Sequence, residues 1–211
     1  MMDSGFLVCL IFLQYPFSAG KLDFVVNPND MGGIGILAPQ KLVRSGGALV
    51  IDLERAELRY DAEEAALKRV AAEAAAPLRR LEYHKCRTED LFREYHRVVS
   101  ISINGVEAEM MVDTGASRTM LSRNNPAIQS IIERKGQPST TTAVTSIGSS
   151  LVVPDVPLEV AGTSFVLPVL VNPSSNDCGK GLLGADVLRH CTVVWGSSSF
   201  WAACRAPPDG K

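Results

Sequence analysis

Asn104-Gly105 stands between two runs that alternate every second residue: Val98 to Ile103 reads VVSISI and Val106 to Val112 reads VEAEMMV. Both turn residues tolerate φ > 0, the requirement of a two-residue type I′ turn whose twist matches that of paired strands. A helix has no use for period-two alternation broken by Asn-Gly, so this stretch predicts a β-hairpin and commits the chain around it to a sheet. The second strand runs directly into Asp113-Thr114-Gly115-Ala116-Ser117. An apolar strand ending in Asp-Thr-Gly delivers a carboxylate at a strand end, on a sharp turn that glycine permits, with two hydroxyls within local reach.

Such a carboxylate suits acid–base chemistry. Peptide hydrolysis without a metal or a covalent nucleophile proceeds when two carboxylates share one proton, one activating water and the other donating to the carbonyl oxygen. Like charges about 3 Å apart cannot both ionise, so the apparent pKa values separate and belong to the pair. In this scheme Thr114 bonds across to the partner loop, and Ser117 orients the outer oxygen of Asp113. The alternative reading of Asp113 is a turn aspartate in an inert β-domain.

Further short strands are expected at Thr140 to Ile147, Leu151 to Val153, Val156 to Val160, Ser164 to Val171 and Thr192 to Trp195, separated by Gly, Pro, Asn and Ser. Residues 54–97 are different. They hold ten acidic and ten basic residues in an Ala- and Glu-rich stretch with few β-branched side chains, which predicts helix from about Asp61 to Ala76 and again near Thr88 to Tyr95, interrupted at Pro77. So polar a segment reads as a solvated connector.

The 21 Lys and Arg nearly balance the 23 Asp and Glu, so there is no general field for nucleic acid. No run approaches the roughly 18 apolar residues of a membrane-spanning helix, and a soluble body is expected. Cys9, Cys86, Cys178, Cys191 and Cys204 lie far apart, as do His84, His96 and His190. That scatter gives no metal-ligand spacing, and neither metal nor cofactor is expected. Residues 1–19 form an apolar leader: Phe6 to Leu13 is followed by the small residues Ser18-Ala19-Gly20, as in a secretory signal, although Asp3 and no basic residue precedes the run. If it is a signal, the chain is secreted or periplasmic, Cys9 is removed and the other four cysteines can form two disulfides. Otherwise the chain is cytoplasmic, its cysteines are free thiols and the run is a buried strand or chance leader.

The chain also repeats itself. Val25-Val26-Asn27-Pro28-Asn29-Asp30, then GGIGILAPQKL to Leu42, parallels Leu170-Val171-Asn172-Pro173, Asn176-Asp177 and GKGLLGADVL to Leu188. Each copy then enters an apolar strand, Ala48 to Ile51 in the first and Thr192 to Trp195 in the second. Residues 20–60 thus read as the closing half of a first lobe, 61–96 as a helical connector, 97–204 as a complete lobe and 205–211 as a tail.

The hairpin INGVEAEMMVDTGASRTMLS from Ile103 to Ser122 and the later GLLGADVL from Gly181 to Leu188 resemble the retropepsin-like aspartic proteases. The resemblance covers residues 97–204 and implies a mainly β, closed barrel-like acid-protease lobe. It implies Asp113 as catalytic carboxylate, Thr114, Gly115, Ala116 and Ser117 as its loop, and Leu182-Leu183-Gly184 packing beneath that loop. It also implies a flap hairpin between Thr140 and Val153, with its tip near Ile147-Gly148. The family needs two Asp-Thr-Gly loops and this sequence has one. Asp3-Ser4-Gly5 has no strand leading into it, and Asp113 lies 59 residues before Asn172 whereas only 26 residues precede Asn27.

The expected activity is an aspartic endopeptidase acting on extended peptides, its second carboxylate supplied by a homodimer mate or a missing first lobe. A catalytically inactive peptide-binding or scaffolding domain is the alternative, and self-processing from a precursor a third. Asp52 and Asp186 are expected as an exposed strand residue or helix start rather than a second acid. Trp195 and Trp201 are expected in packing, and His190 at a helix end.

Overall fold

Gly47–Asp52 (GALVID) is buried at every position. Alternation disappears when both faces of a strand are covered, and here both are. Leu49 and Ile51 join the main core, whereas Ala48 and Val50 pack with Ala66 and Val70 of a helix on the other side. The molecule is layered accordingly, as helix, sheet and barrel.

The computed structural model describes residues 39–87, 95–131, 137–142, 147–172 and 178–207. In chain order these form α1 (Pro39–Leu42), β1 (Gly47–Asp52), β2 (Glu57–Ala62), α2 (Glu63–Glu73), β3 (Arg79–Arg80), β4 (Tyr83–Arg87), β5 (Tyr95–Ile103) and β6 (Val106–Val112). There follow β7 (Met120–Ser122), α3 (Ile128–Ile131), β8 (Gln137–Thr142), β9 (Ile147–Val160), β10 (Thr163–Asn172), β11 (Gly181–Leu183), α4 (Ala185–Leu188), β12 (Cys191–Gly196) and β13 (Phe200–Cys204).

Among the described residues the fold is mainly β, and β5, β6, β11, β7, β10 and β9 close into a six-stranded barrel. Closure comes from Ser102 and Ile103 of β5 pairing with Glu159 and Leu158 of β9. β4 and β8 extend the barrel sheet, while β2, β1, β12, β13 and β3 form a second sheet in that order. The acid-protease-like closed barrel expected from the sequence is therefore present.

The hairpin follows its sequence closely, with Asn104 at φ 50° and Gly105 at φ 79°. Elsewhere two strands expected as separate are one. β9 runs through Pro154 and Pro157 because Asp155, at φ 51°, takes up the bend while pairing to β10 continues on both sides. The first connector helix is shorter than expected, ending at Glu73 ahead of Pro77. It is also not merely solvated, since Ala66 and Val70 seal the outer face of the second sheet. The expected helix near Thr88 lies outside the described residues up to Tyr95, where a strand begins. The leader and the first stretch of the repeat, up to residue 38, also lie outside them.

Cys86 is bonded to Cys178 and Cys191 to Cys204, the four cysteines left if Cys9 is removed. Among the described residues no helix is long and apolar enough to cross a membrane.

Candidate active site

β6 and β11 lie side by side and parallel, Met111 opposite Leu182 and Val112 opposite Leu183. This pairing fixes where the Asp-Thr-Gly turn begins. The Asp113 N–H donates to the Leu183 carbonyl at 3.1 Å, so the last rung of the ladder holds Asp113 itself. Its carboxylate then folds back over its own turn: Oδ1 accepts from the Gly115 N–H at 2.9 Å and from the Ala116 N–H at 3.2 Å. Two N–H donors on one oxygen orient the group and leave Oδ2 for solvent or a ligand.

Leu182, Leu183 and Gly184 sit beside and beneath this turn, with Leu183 buried. At Gly184 the backbones meet so closely that a Cβ would stand 2.6 Å from the Arg118 carbonyl oxygen. The Ala185 N–H then donates to the Ala116 carbonyl at 2.7 Å, tying the start of α4 to the turn. Thr114 borders a small apolar cleft with Ile51, Leu53 and Leu188. Ser117 is exposed and, among the described residues, its hydroxyl makes no hydrogen bond to Asp113.

Ile147 and Gly148 stand on β9 opposite Thr142 and Thr141, the last described rungs of a hairpin between β8 and β9. Residues 143–146 lie outside the described part. On the same hairpin Leu151 is an exposed apolar side chain.

One pair escaped sequence reasoning. Thr119 is fully buried, its N–H donating to Asp186 Oδ2 at 2.8 Å and its hydroxyl to Asp186 Oδ1 at 2.7 Å. The Gly184 N–H closes the circuit on the Thr119 hydroxyl at 3.2 Å. Asp186 does begin α4, as expected, but it also clamps the far end of the Asp113 loop. The available signal was a hydroxyl six residues beyond Asp113 and an acid opening the later helix, 67 residues apart. Asp52, expected as exposed, is buried, because its carboxylate accepts from the Thr192 hydroxyl at 2.9 Å and the Arg55 N–H at 3.0 Å.

Trp195 lies in the core and Trp201 donates its indole N–H to the Ser199 hydroxyl. Among the described residues no cluster of His, Cys, Asp or Glu could hold a metal ion.

Residues 99–190 match the family model described as "gag-polyprotein putative aspartyl protease". That family is a retropepsin-like one, the kind that the Asp-Thr-Gly hairpin and GLLGADVL resemble. The matched span runs from within β5 through α4 and takes in the Asp113 turn and the Thr119–Asp186 clamp. Its kind is therefore that of a protease. No curated protein matches the chain.

Proposed function

We propose that the chain is an aspartic endopeptidase in which Asp113 supplies one carboxylate of a water-activating dyad. The observation that carries this reading is the Asp113 turn, with one carboxylate oxygen held by two backbone N–H groups and the other left open at the end of a buried strand. An acid–base group must keep one orientation through the cycle, and a turn anchored to β11 and α4 supplies that rigidity. Thr114, Gly115, Ala116 and Ser117 form the loop, Ser117 serving the outer oxygen once substrate is bound. Leu182, Leu183 and Gly184 are its support.

The substrate is an extended peptide or protein segment. It adds as a strand under the β8–β9 hairpin, bonded main chain to main chain, with Ile147 and Gly148 near the tip. A second carboxylate, from a dimer mate or another lobe, completes the dyad, because one turn cannot place two acids face to face. Neither metal nor cofactor takes part.

The test is cleavage of an unfolded protein by the full chain and by Asp113→Asn across about pH 3 to 7, where a shared-proton pair gives a bell-shaped rate profile. Cleavage confined to the unsubstituted chain, with that bell, is the expected result. One observation favours a second reading, a peptide-binding domain without catalysis: the sequence contains a single Asp-Thr-Gly. Peptide binding with no turnover by either form at any pH would decide for it.

A further inference from the structure

Alternate residues of a strand face opposite sides of its sheet. Ile51 and Leu53 border the apolar cleft at Thr114, together with Val193 and Trp195 of β12. Val50, Asp52 and Thr192 alternate with these and face the other way, onto the layer that holds α2. There α2 covers Ala48 and Val50 with Ala66 and Val70, but it stops at Glu73. The next row of the sheet, in which Asp52 pairs with Thr192 and Thr192 with Ala203, is left lining a second cleft just past the helix end. Ala74, Ala75 and Ala76 complete its wall, and a methyl group is the largest side chain that they bring. A hollow remains because nothing there is large enough to fill it.

Charged side chains ring this hollow: Arg55, Arg189 and Arg205 against Asp52 and Glu54, with His190 beside them. Both carboxylates are already engaged. Asp52 is buried, its Oδ1 accepting from the Arg55 N–H at 3.0 Å and its Oδ2 from the Thr192 hydroxyl at 2.9 Å. Glu54 pairs with Arg205. The Arg55 guanidinium approaches Asp52 only with Nε, at 3.9 Å, on a side chain that is 58% exposed. Arg189 has no carboxylate partner among the described residues; its Nε–H donates to His190 Nε2 at 3.3 Å, which orients the guanidinium and leaves both Nη groups unspent. Three guanidinium groups against two carboxylates leave a positive charge to be balanced, and two of the three keep free donors on different walls, one on the β1–β2 turn and one between α4 and β12.

A guanidinium fork takes two oxygens of an oxyanion at once. A carboxylate satisfies one fork, whereas a tetrahedral group has oxygens for two. We propose that this cleft binds a phosphate group, held between Arg55 and Arg189. The site lies on the face of the second sheet away from the Asp113 turn, so it stands or falls independently of the protease reading. The C-terminal end of α2 opposes an anion beside it, which sets the expected dissociation constant near about 1 mM rather than in the micromolar range.

The experiment melts the full chain at neutral pH in inorganic phosphate and in sodium chloride of equal ionic strength. About 10 mM phosphate should raise the melting temperature by about 3 °C over chloride. Titration calorimetry should show the affinity for phosphate falling roughly tenfold in Arg189→Gln and in Arg55→Gln, while melting in chloride reads any loss of fold separately. Arg80→Gln, on the exposed edge strand β3, should bind phosphate as the unsubstituted chain does. A short phosphoserine peptide titrated alongside separates the two sources of the group: tighter binding of the peptide assigns a phosphoprotein segment, and equal or weaker binding assigns the free ion. No stabilisation beyond that in chloride would overturn the site, because general screening would then account for the whole effect. Phosphate binding that both cleft variants keep in full would overturn it as well, since the anion would then sit elsewhere.

Discussion

Arg97 is 4% exposed, yet among the described residues no carboxylate contacts its guanidinium directly. It donates to the carbonyls of Ser199 and Gly196 and lies over the rings of Tyr83 at 4.6 Å and Trp195 at 4.8 Å. Burial pushes its pKa down to about 10, against the opposing pull of Tyr83 and Glu63, so it remains a cation at neutral pH. Ring faces and carbonyl dipoles carry that charge. Arg97→Leu should cost about 2–4 kcal/mol in a denaturant titration, because two carbonyls lose their donor and the ring stack its cation. Arg97→Lys should recover only part of this, since an ammonium cannot span both carbonyls and lie flat on the rings. His190 gives a pH dependence. Burial first, and then the Arg189 cation, hold its imidazole below the ordinary 6.5. The Arg189 Nε–H donates to His190 Nε2, a bond only the neutral ring accepts. The unfolded chain therefore binds a proton that the folded chain resists, and stability falls as pH is lowered through about 6.5 towards the folded value. Thermal melts should show a shallower loss over that range for His190→Gln.

At the scale of elements, the site depends on β11 passing tightly under the Asp113 turn. Gly184→Ala would drive a methyl into the Arg118–Thr119 backbone. The turn must then shift, and with it the Ala185 to Ala116 bond and the Thr119–Asp186 clamp. Expected are a loss of about 1–3 kcal/mol in stability and a fall in kcat larger than any change in KM, read from steady-state kinetics on the active form. Unchanged kcat in a destabilised variant would separate the loop's packing from its chemistry. The hairpin that opens the barrel was legible because its signals are local: alternation and a turn dipeptide with positive φ. From its sequence β9 is expected as shorter pieces, because a residue that bends a strand while pairing continues on both sides gives no local sign. The buried face of α2 is invisible in the sequence for a related reason. Ala66 and Val70 are too small to mark an apolar stripe, and only the sheet packed on them shows that they are covered.

Over the whole molecule, two disulfides join parts that the chain brings in at different times. Cys86–Cys178 ties β4 to the segment entering β11, across 92 residues of sequence, and Cys191–Cys204 closes the β12–β13 hairpin. A long closed loop restricts the unfolded chain most, so replacing Cys86 and Cys178 together by Ser should cost about 2–5 kcal/mol. A dithiol reductant should lower the melting temperature of the unsubstituted chain to match. An unchanged melting curve under reduction would show that the bond is not closed in the protein. Bonds of this kind persist in oxidising compartments.

By itself the sequence determined the hairpin, the carboxylate at its end, the family pattern in GLLGADVL and the repeat, because each is written in residues adjacent in the chain. What it could not decide was which distant pieces meet. The Thr119–Asp186 clamp, the cation of Arg97 among three rings, the cysteine pairing and the opposition of Val50 and Val194 all join residues more than ten positions apart. Such contacts are selected by how layers pack and strands register, and packing is a property of the assembled core rather than of any segment within it.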